Sequence, residues 1–528
     1  MKKIISFTKY RLFWPIICGA IVFLLLFAAS VAWAGSQYKA QHFGDSKIDE
    51  LVFYFNNGLA GGRSDGINDA ILTVLQWAII PTILFVLPLV VPWRRLGNWL
   101  TGRPKLQRLK KIHWKTVTVR WRHRLAYAFA IFVWGMWGLL SSFGVPQYVQ
   151  ALSQSSRLFE DNYVDPSTAD IKFPAKKRNL IHIYMESMEN TPASKVNGGR
   201  SDESIIPELE ELALDKNNIS FSHQPSGLGG MLPATGTTWT VAGITAQTAG
   251  IPLKDGHFGK NRNEMGAFNQ FIPGAYTSGQ ILQKAGYNQS FLMGSEANFG
   301  GRDKLLTQHG GFTIKDYLYA KQNGQIAEDY KVWWGYEDKK LFQFAKEEAT
   351  RLAQSDKPFN LQLLTVDTHF TDGYLDETCE QKYAAKYDNV HACSSKQVAA
   401  FVKWLREQPF ADNTTIVLTG DHLGMQTSYY DEKIAGAPYQ RTVYNAIINP
   451  AVRTDRTHNR QFTSFDMYPT ILASIGAEIP GDQLGLGVNL FSNQQTLIER
   501  MGGLEALNAE LAKRSTFYER KIMIGGGR

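Results

Sequence analysis

Apolar residues are distributed along this chain in two ways. In the first third they form three long runs, at roughly 13–33, 70–91 and 125–143, each close to the ~20 residues that cross a bilayer core. After Pro174 the apolar runs shorten and alternate with amphipathic stretches. Leu180–Met185, Ser290–Met293, Leu361–Val366 and Thr415–Thr419 read as buried strands, and Pro207–Lys216, Thr277–Lys284, Glu337–Gln354 and Lys396–Gln408 as helices. Strands alternating with helices predict an α/β domain built on a mainly parallel sheet flanked by helices. The pattern divides the chain into a membrane domain over 1–145 with three transmembrane helices and a basic loop, a juxtamembrane linker over 146–174, and a large domain over 175–528. In the linker, Tyr148, Leu152, Leu158 and Phe159 predict an amphipathic helix broken at Asp165-Pro166-Ser167. Ser464–Gly476 and the stretch 485–491 predict a helix and a last strand closing the sheet edge.

Charge sharpens the first of these domains. Residues 1–149 hold 18 Lys and Arg against 5 Asp and Glu, whereas the remainder holds 38 against 43. The basic character therefore belongs to the N-terminal third, which points to membrane topology and away from nucleic acid. Lys2, Lys3, Lys9 and Arg11 precede the first run, and a dense set from Arg94 to Arg124 fills the loop between the second and third. The positive-inside rule places the N-terminus and that loop in the cytoplasm. Three crossings then put everything after about residue 145 outside. Trp93, Trp99, Trp114 and Trp121 interleave the basic loop as interfacial anchors. Ala32-Trp33-Ala34 mimics a signal-peptide cleavage site, but the two further spans favour a retained anchor.

In parallel α/β sheets chemistry gathers at the carboxyl ends of the strands. Three of the predicted strands end on a carboxylate. Glu186 follows the first, Asp367-Thr368-His369 the third, and Asp421-His422, between Gly420 and Gly424, the fourth. Carboxylate, imidazole and hydroxyl together suit a hard or borderline divalent cation. Between these positions lies the hydroxyl-rich stretch Ala234-Thr235-Gly236-Thr237-Thr238-Trp239-Thr240, followed by an apolar helical run. A hydroxyl at a helix start can cap the helix. It can also sit where unpaired N–H groups and the helix dipole favour an alkoxide and an incoming phosphate.

Gly236–Gly243, Thr248–Leu253, Asp367-Thr368-His369, Gly420-Asp421-His422, Tyr184–Ser187 and Arg302-Asp303 after Phe299-Gly300-Gly301 resemble motifs of the alkaline-phosphatase-like, sulfatase-fold transferases. The likeness is to the membrane-bound phosphoglycerol transferases, which include lipoteichoic acid synthase and the enzymes acting on periplasmic glucans. It covers roughly residues 175–490. It implies that Glu186, Thr237, Asp421 and His422 ligate one divalent ion, manganese or magnesium with zinc as an alternative. It implies that Thr237 is the nucleophile, with Thr240 as the fallback, and that Arg302 and His369 bind phosphoryl oxygens or the acceptor.

The implied reaction moves phosphoglycerol from a phospholipid donor in the membrane, phosphatidylglycerol, to an extracytoplasmic glycan through a phospho-threonine intermediate. The implied partners include neither nucleotide nor nucleic acid, and the sequence leaves oligomeric state and acceptor identity open. Sulfatase activity itself is disfavoured, since the cysteines are Cys18, Cys379 and Cys393 and none lies in a formylglycine motif. A phosphoethanolamine transferase or phosphodiesterase on the same site, and a non-catalytic membrane sensor, are the alternatives. Cys379 and Cys393, in a domain expected outside the cytoplasm, are expected to pair, and Cys18 is expected to be an apolar filler within the first span.

Overall fold

A computed structural model describes residues 2–44, 48, 64–91, 121–254, 270–436 and 438–526. The predicted cytoplasmic loop falls almost wholly outside the described residues, with its basic set from Arg94 to Arg120 and Trp93, Trp99 and Trp114. The chain forms two compact units, one of Met1–Phe43 with Arg63–Pro146 and one of Gly44–Gly62 with Gln147–Arg528.

Among the described residues the first unit contains three long helices, α1 (Lys2–His42), α2 (Ser64–Val90) and α3 (Trp121–Ser142). Their segments Ile16–His42, Asn68–Val90 and Trp121–Ser142 are long and apolar enough to cross a membrane. Helix α1 continues past the predicted end of its apolar run. Small residues bring α1 and α3 together: a Cβ on Gly135 would lie 2.8 Å from the carbonyl oxygen of Ala29, the close backbone approach that membrane helices use in place of a hydrophobic driving force. The Tyr127 hydroxyl donates to the Phe85 carbonyl at 3.1 Å.

The second unit is built on a six-stranded sheet of order β3-β2-β4-β1-β5-β6. Its strands are β1 (Asn179–Met185), β2 (Asn288–Met293), β3 (Thr313–Lys315), β4 (Phe359–Leu364), β5 (Thr414–Gly420) and β6 (Asn445–Ile448). All pairings are parallel except β5 with β6. The central strand β1 is buried along its whole length, as expected of a parallel strand covered on both faces. Period-two alternation splits its side chains. Ile181, Ile183 and Met185 join one core with Leu341, Phe401 and Ile416, while Tyr184 joins another with Trp239, Ile244 and Leu364. Register sets up the site: Tyr184 lies opposite both Leu364 and Thr419, so the segments after β1, β4 and β5 emerge side by side.

Four helices matter below: α4 (Thr240–Ala249), α5 (Asp338–Ala353), α6 (Lys386–Arg406) and α7 (Ser464–Ser474). Helix α6 begins at Lys386, well before the predicted start at Lys396. Its polar first turns bury Tyr387, Val390 and His391, a face that a hydrophobicity pattern misses because it is built from Tyr and His. The predicted closing strand is instead a two-residue hairpin, Gln483–Leu484 with Gly487–Val488, separate from the main sheet. Gly485, at φ 62°, turns the chain back before a longer strand can form. The edge strands are β3 and β6. The segment 155–172 is stitched to its unit by bridges Ser155–Arg514, Val164–Gly485 and Lys172–Glu478. Cys379 and Cys393 form a disulfide with Cα atoms 5.6 Å apart, and Cys18 is free and buried.

Candidate metal and transfer site

Glu186 leaves the end of β1 and is held from both sides. Its backbone N–H donates to Thr365 Oγ1 at 2.9 Å, and its Oε1 accepts from Ser187 Oγ at 2.8 Å. Asp421 leaves the end of β5, where its Oδ1 accepts the N–H groups of Ser187 (2.9 Å) and His422 (2.8 Å). His422 Nε2 lies 3.4 Å from Glu186 Oε1 and 3.5 Å from Asp421 Oδ2. Its Nδ1 is 2.7 Å from the Leu423 carbonyl. That contact engages Nδ1 as a donor and leaves Nε2 directed at the carboxylates, as the atom that would ligate a cation held there.

The structure brings Thr240, rather than Thr237, into this group. Gly236 takes φ 80° in a turn where a Cβ would meet Pro252 at 2.7 Å. The turn curls Thr237 back, so that its buried hydroxyl donates to the Ala234 carbonyl at 2.9 Å. Three residues on, Thr240 opens α4 with its hydroxyl 3.3 Å from Glu186 Oε2 and 3.5 Å from His422 Nε2. The N-cap residue is Trp239, which makes no side-chain capping bond. Trp239 thus offers no side-chain cap to the first N–H groups of α4, and Thr240 stands at the positive end of the helix dipole.

Glu186, Thr240, Ser295, Arg302, Trp334 and His369 line one crevice. Arg302 is 5% exposed and is fixed by two carbonyls, Phe299 at 3.0 Å and Glu296 at 2.8 Å. His369 Nδ1 sits 2.7 Å from the Phe370 carbonyl, and its ring packs 4.6 Å from that of Trp334. The carboxylates Asp367, Asp372 and Asp376 serve the scaffold. Asp367 accepts the Asp338 N–H at the start of α5, Asp372 exchanges hydrogen bonds with Gln426, and Asp376 accepts from Thr378. Thr365 and Trp334 are members of the site that sequence reading did not single out, and Ser187 was read only as part of the Tyr184–Ser187 motif. Ser187 had a signal, as the neighbour of Glu186, whereas Trp334 had none beyond its place in Trp333-Trp334-Gly335.

Electrostatics follow from burial. Desolvation, then the charge of Glu186, pushes the Asp421 carboxyl up to about 7. Burial alone would raise Glu186 as well, but the neighbouring imidazoles and the bonds from His422 and Ser187 outweigh it and hold Glu186 well below the usual carboxylate range. Burial opposes charge on His422, yet Asp421 and Glu186 overcome that and push it up to about 10. Desolvation lowers His369, against the pull of Glu186. The donor set fits a divalent cation. Ligand atoms of Glu186, Asp421 and His422 lie within 4.8 Å of one another, and Asp421 Oδ2 is buried without a hydrogen-bond partner. A cation would neutralise the confined carboxylates.

The fold and site thus define a mainly parallel α/β domain whose strand ends converge on a candidate cation site beside a helix-terminal hydroxyl. Sequence comparison places it: the sulfatase family pattern matches residues 178–477, more than half of the chain, and the chain belongs to the sulfatase family. It is 28% identical over 457 residues to phosphoglycerol transferase I of Escherichia coli (strain 55989 / EAEC), covering 81% of this chain and 54% of that protein. The same name, identity and coverage recur in Shigella boydii serotype 18. The chain therefore spans about half the length of the curated relatives it matches. Among solved structures, the lipoteichoic acid synthase LtaP of Listeria monocytogenes aligns at 18% identity and TM-score 0.48, over 61% of this chain and 79% of that one. The lipooligosaccharide phosphoethanolamine transferase EptA of Neisseria meningitidis aligns at 13% and 0.44, over 87% and 95%. Scores this low transfer no activity.

Proposed function

We propose that this chain is a membrane-anchored, metal-dependent phosphoglycerol transferase that uses Thr240 as its nucleophile. The observation that carries this reading is the Thr240 hydroxyl, held at the start of α4 within 3.3 Å of Glu186 and 3.5 Å of His422. The name shared by the curated relatives supports the choice of phosphoglycerol. Glu186, Thr240, Asp421 and His422 hold one divalent ion, manganese or magnesium by preference. When bound, such an ion lowers the pKa of a ligated hydroxyl and offsets phosphoryl charge.

The donor is phosphatidylglycerol. Thr240 Oγ attacks its phosphorus, the bond to the diacylglycerol oxygen breaks, the proton given up by the Thr240 hydroxyl ends on that departing oxygen, and glycerophosphate remains on Thr240. The N-terminal end of α4 meets the phosphoryl group, and Arg302 meets the negative charge that develops on it. In the second step a glycan hydroxyl attacks the same phosphorus and Thr240 is released. His369 Nε2, its lone pair exposed because Nδ1 is engaged by Phe370, accepts the proton of the incoming hydroxyl. The three apolar helices hold the domain at the bilayer that contains the donor, with the N-terminus cytoplasmic and the large domain periplasmic.

The test is mass spectrometry of envelope glycans from cells with and without the protein. Loss of glycerophosphate substituents on deletion is expected. Loss of phosphoethanolamine instead would reassign the headgroup, and an unchanged glycan profile would remove the transferase reading.

A further inference from the structure

One buried ion pair outside the ligand set grips the segment that carries Asp421 and His422. Glu189 is fully buried, four residues beyond the end of β1. Its carboxylate accepts from Arg441 through Nε at 3.0 Å and through Nη2, from the Thr191 hydroxyl, and from the backbone N–H of Gly424 at 2.9 Å. Arg441 Nη2 also donates to the Gly424 carbonyl at 2.6 Å. Both polar groups of one residue, two positions after His422, are thereby tied to the two halves of a single bidentate pair. The guanidinium lies over the Tyr430 ring, 4.0 Å from its centroid. A Cβ on Gly424 would lie 2.0 Å from the Tyr430 hydroxyl, so the pair, the ring and Gly424 form one close-packed unit.

We propose that Glu189 and Arg441 are positioning residues for the cation site, fixing the path of the chain from Asp421 to Gly424 so that His422 Nε2 faces Glu186. The inference rests on reading Glu186, Asp421 and His422 as cation ligands. Bidentate carboxylate–guanidinium geometry specifies direction as well as distance. Here it fixes the orientation of the Gly424 peptide, and through the short Leu423 link, whose carbonyl accepts from His422 Nδ1, the plane of the imidazole. Glu189 also lies on the same post-β1 segment as Glu186. One side chain therefore couples the first ligand of the site to the last. Removing Arg441 strips the fully buried Glu189 of its bidentate partner, while the ligands themselves stay in place chemically.

The experiment compares full-length wild type with Glu189→Gln and Arg441→Lys in detergent, titrating Mn2+, Mg2+ and Zn2+ separately by calorimetry and measuring transfer as a function of metal concentration. Both variants keep charge or shape at the pair and are expected to fold, as read by circular dichroism. The expected result is a roughly 10- to 100-fold weaker affinity for the productive metal, with kcat recovered towards wild type at saturating metal and Arg441→Lys less affected than Glu189→Gln. Folded variants with wild-type metal affinity would overturn the positioning role while leaving the cation site intact. A folded wild type that binds none of the three ions would instead overturn the reading on which the proposal rests. If Glu189→Gln does not fold, Arg441→Lys alone decides: unchanged affinity rejects the proposal, weakened affinity supports it.

Discussion

Gly243 of α4 packs so closely on Asp421 that a Cβ there would lie 2.0 Å from the Asp421 carbonyl oxygen. The helix that opens on Thr240 is thereby pressed against the backbone of a proposed ligand, and the Thr240 hydroxyl owes its position to that approach. A neighbour made of backbone cannot turn aside as a flexible side chain would. Gly243→Ala is expected to push α4 off the β5 end, costing about 1–3 kcal/mol of stability and most of the transfer activity. Wild-type turnover in a folded Gly243→Ala variant would show that the spacing is not critical.

The two threonines are separable. Thr240→Ala is expected to abolish transfer, with the protein still folded and membrane-bound, and Thr240→Ser to retain part of it. Thr237→Ala loses one buried hydrogen bond, to Ala234, at about 1 kcal/mol, and is expected to turn over within a few-fold of wild type. Trapping of glycerophosphate on a peptide containing Thr240, by mass spectrometry after rapid quench, checks the assignment directly. The reverse pattern of activities would return the nucleophile to Thr237.

Metal removal should act on stability as well as on rate. An ion that binds the folded state alone stabilises it by about 2.7 kcal/mol at a hundred times its dissociation constant. Chelation is therefore expected to lower the melting temperature and stop transfer, and added divalent ion to restore both. A melting temperature and turnover that chelation leaves unchanged would argue against the site.

Two buried histidines give the fold an acid-side weakness. Burial pushes His182, in β1, down to about 3 and His391, in α6, down to about 4. For His391 the nearby Asp388 pulls the other way and Lys433 adds to the depression. In the unfolded chain an ordinary histidine titrates near ~6.5. Between that value and the folded one the unfolded state binds more protons, so stability is full above about 6.5 and falls as pH drops, by about 1.4 kcal/mol per pH unit for each histidine. Buried carboxyls raised by desolvation, such as Asp466 at about 6, contribute with the opposite sign. The clean measurement is therefore a difference: urea unfolding of wild type and His391→Phe at pH 7.5 and 5. The variant is expected to lose less stability over that interval by about 2 kcal/mol. Equal losses would mean that His391 does not stay neutral in the fold.

Much of the site was legible because it depends on local rules. A buried parallel strand announces itself by an unbroken apolar run, as in Leu180–Met185, and the chemistry of such sheets gathers at strand ends. Glu186, His369, Asp421 and His422 could therefore be named from position alone. The edge strand β6 was not legible. Its Asn445-Ala446-Ile447-Ile448 is too short to separate from loop, and its antiparallel pairing with the edge of β5 depends on a partner distant from it in the chain. The clamp between Glu189 and Arg441 was equally hidden, since nothing local links residues 252 positions apart in the chain.

The threonine cluster divides the two kinds of information most clearly. The sequence by itself determined that a hydroxyl stands at the start of an apolar helix, because composition and periodicity depend only on near neighbours. It also determined which strand ends carry carboxylate and imidazole, and which three segments can cross a membrane. Only the tertiary structure decided which hydroxyl meets them. That choice depends on a left-handed turn at Gly236 that folds Thr237 onto Ala234, and on Gly243 letting α4 approach Asp421. The turn is local, but the packing of Gly236 against Pro252 and of Gly243 against Asp421 joins segments distant in sequence.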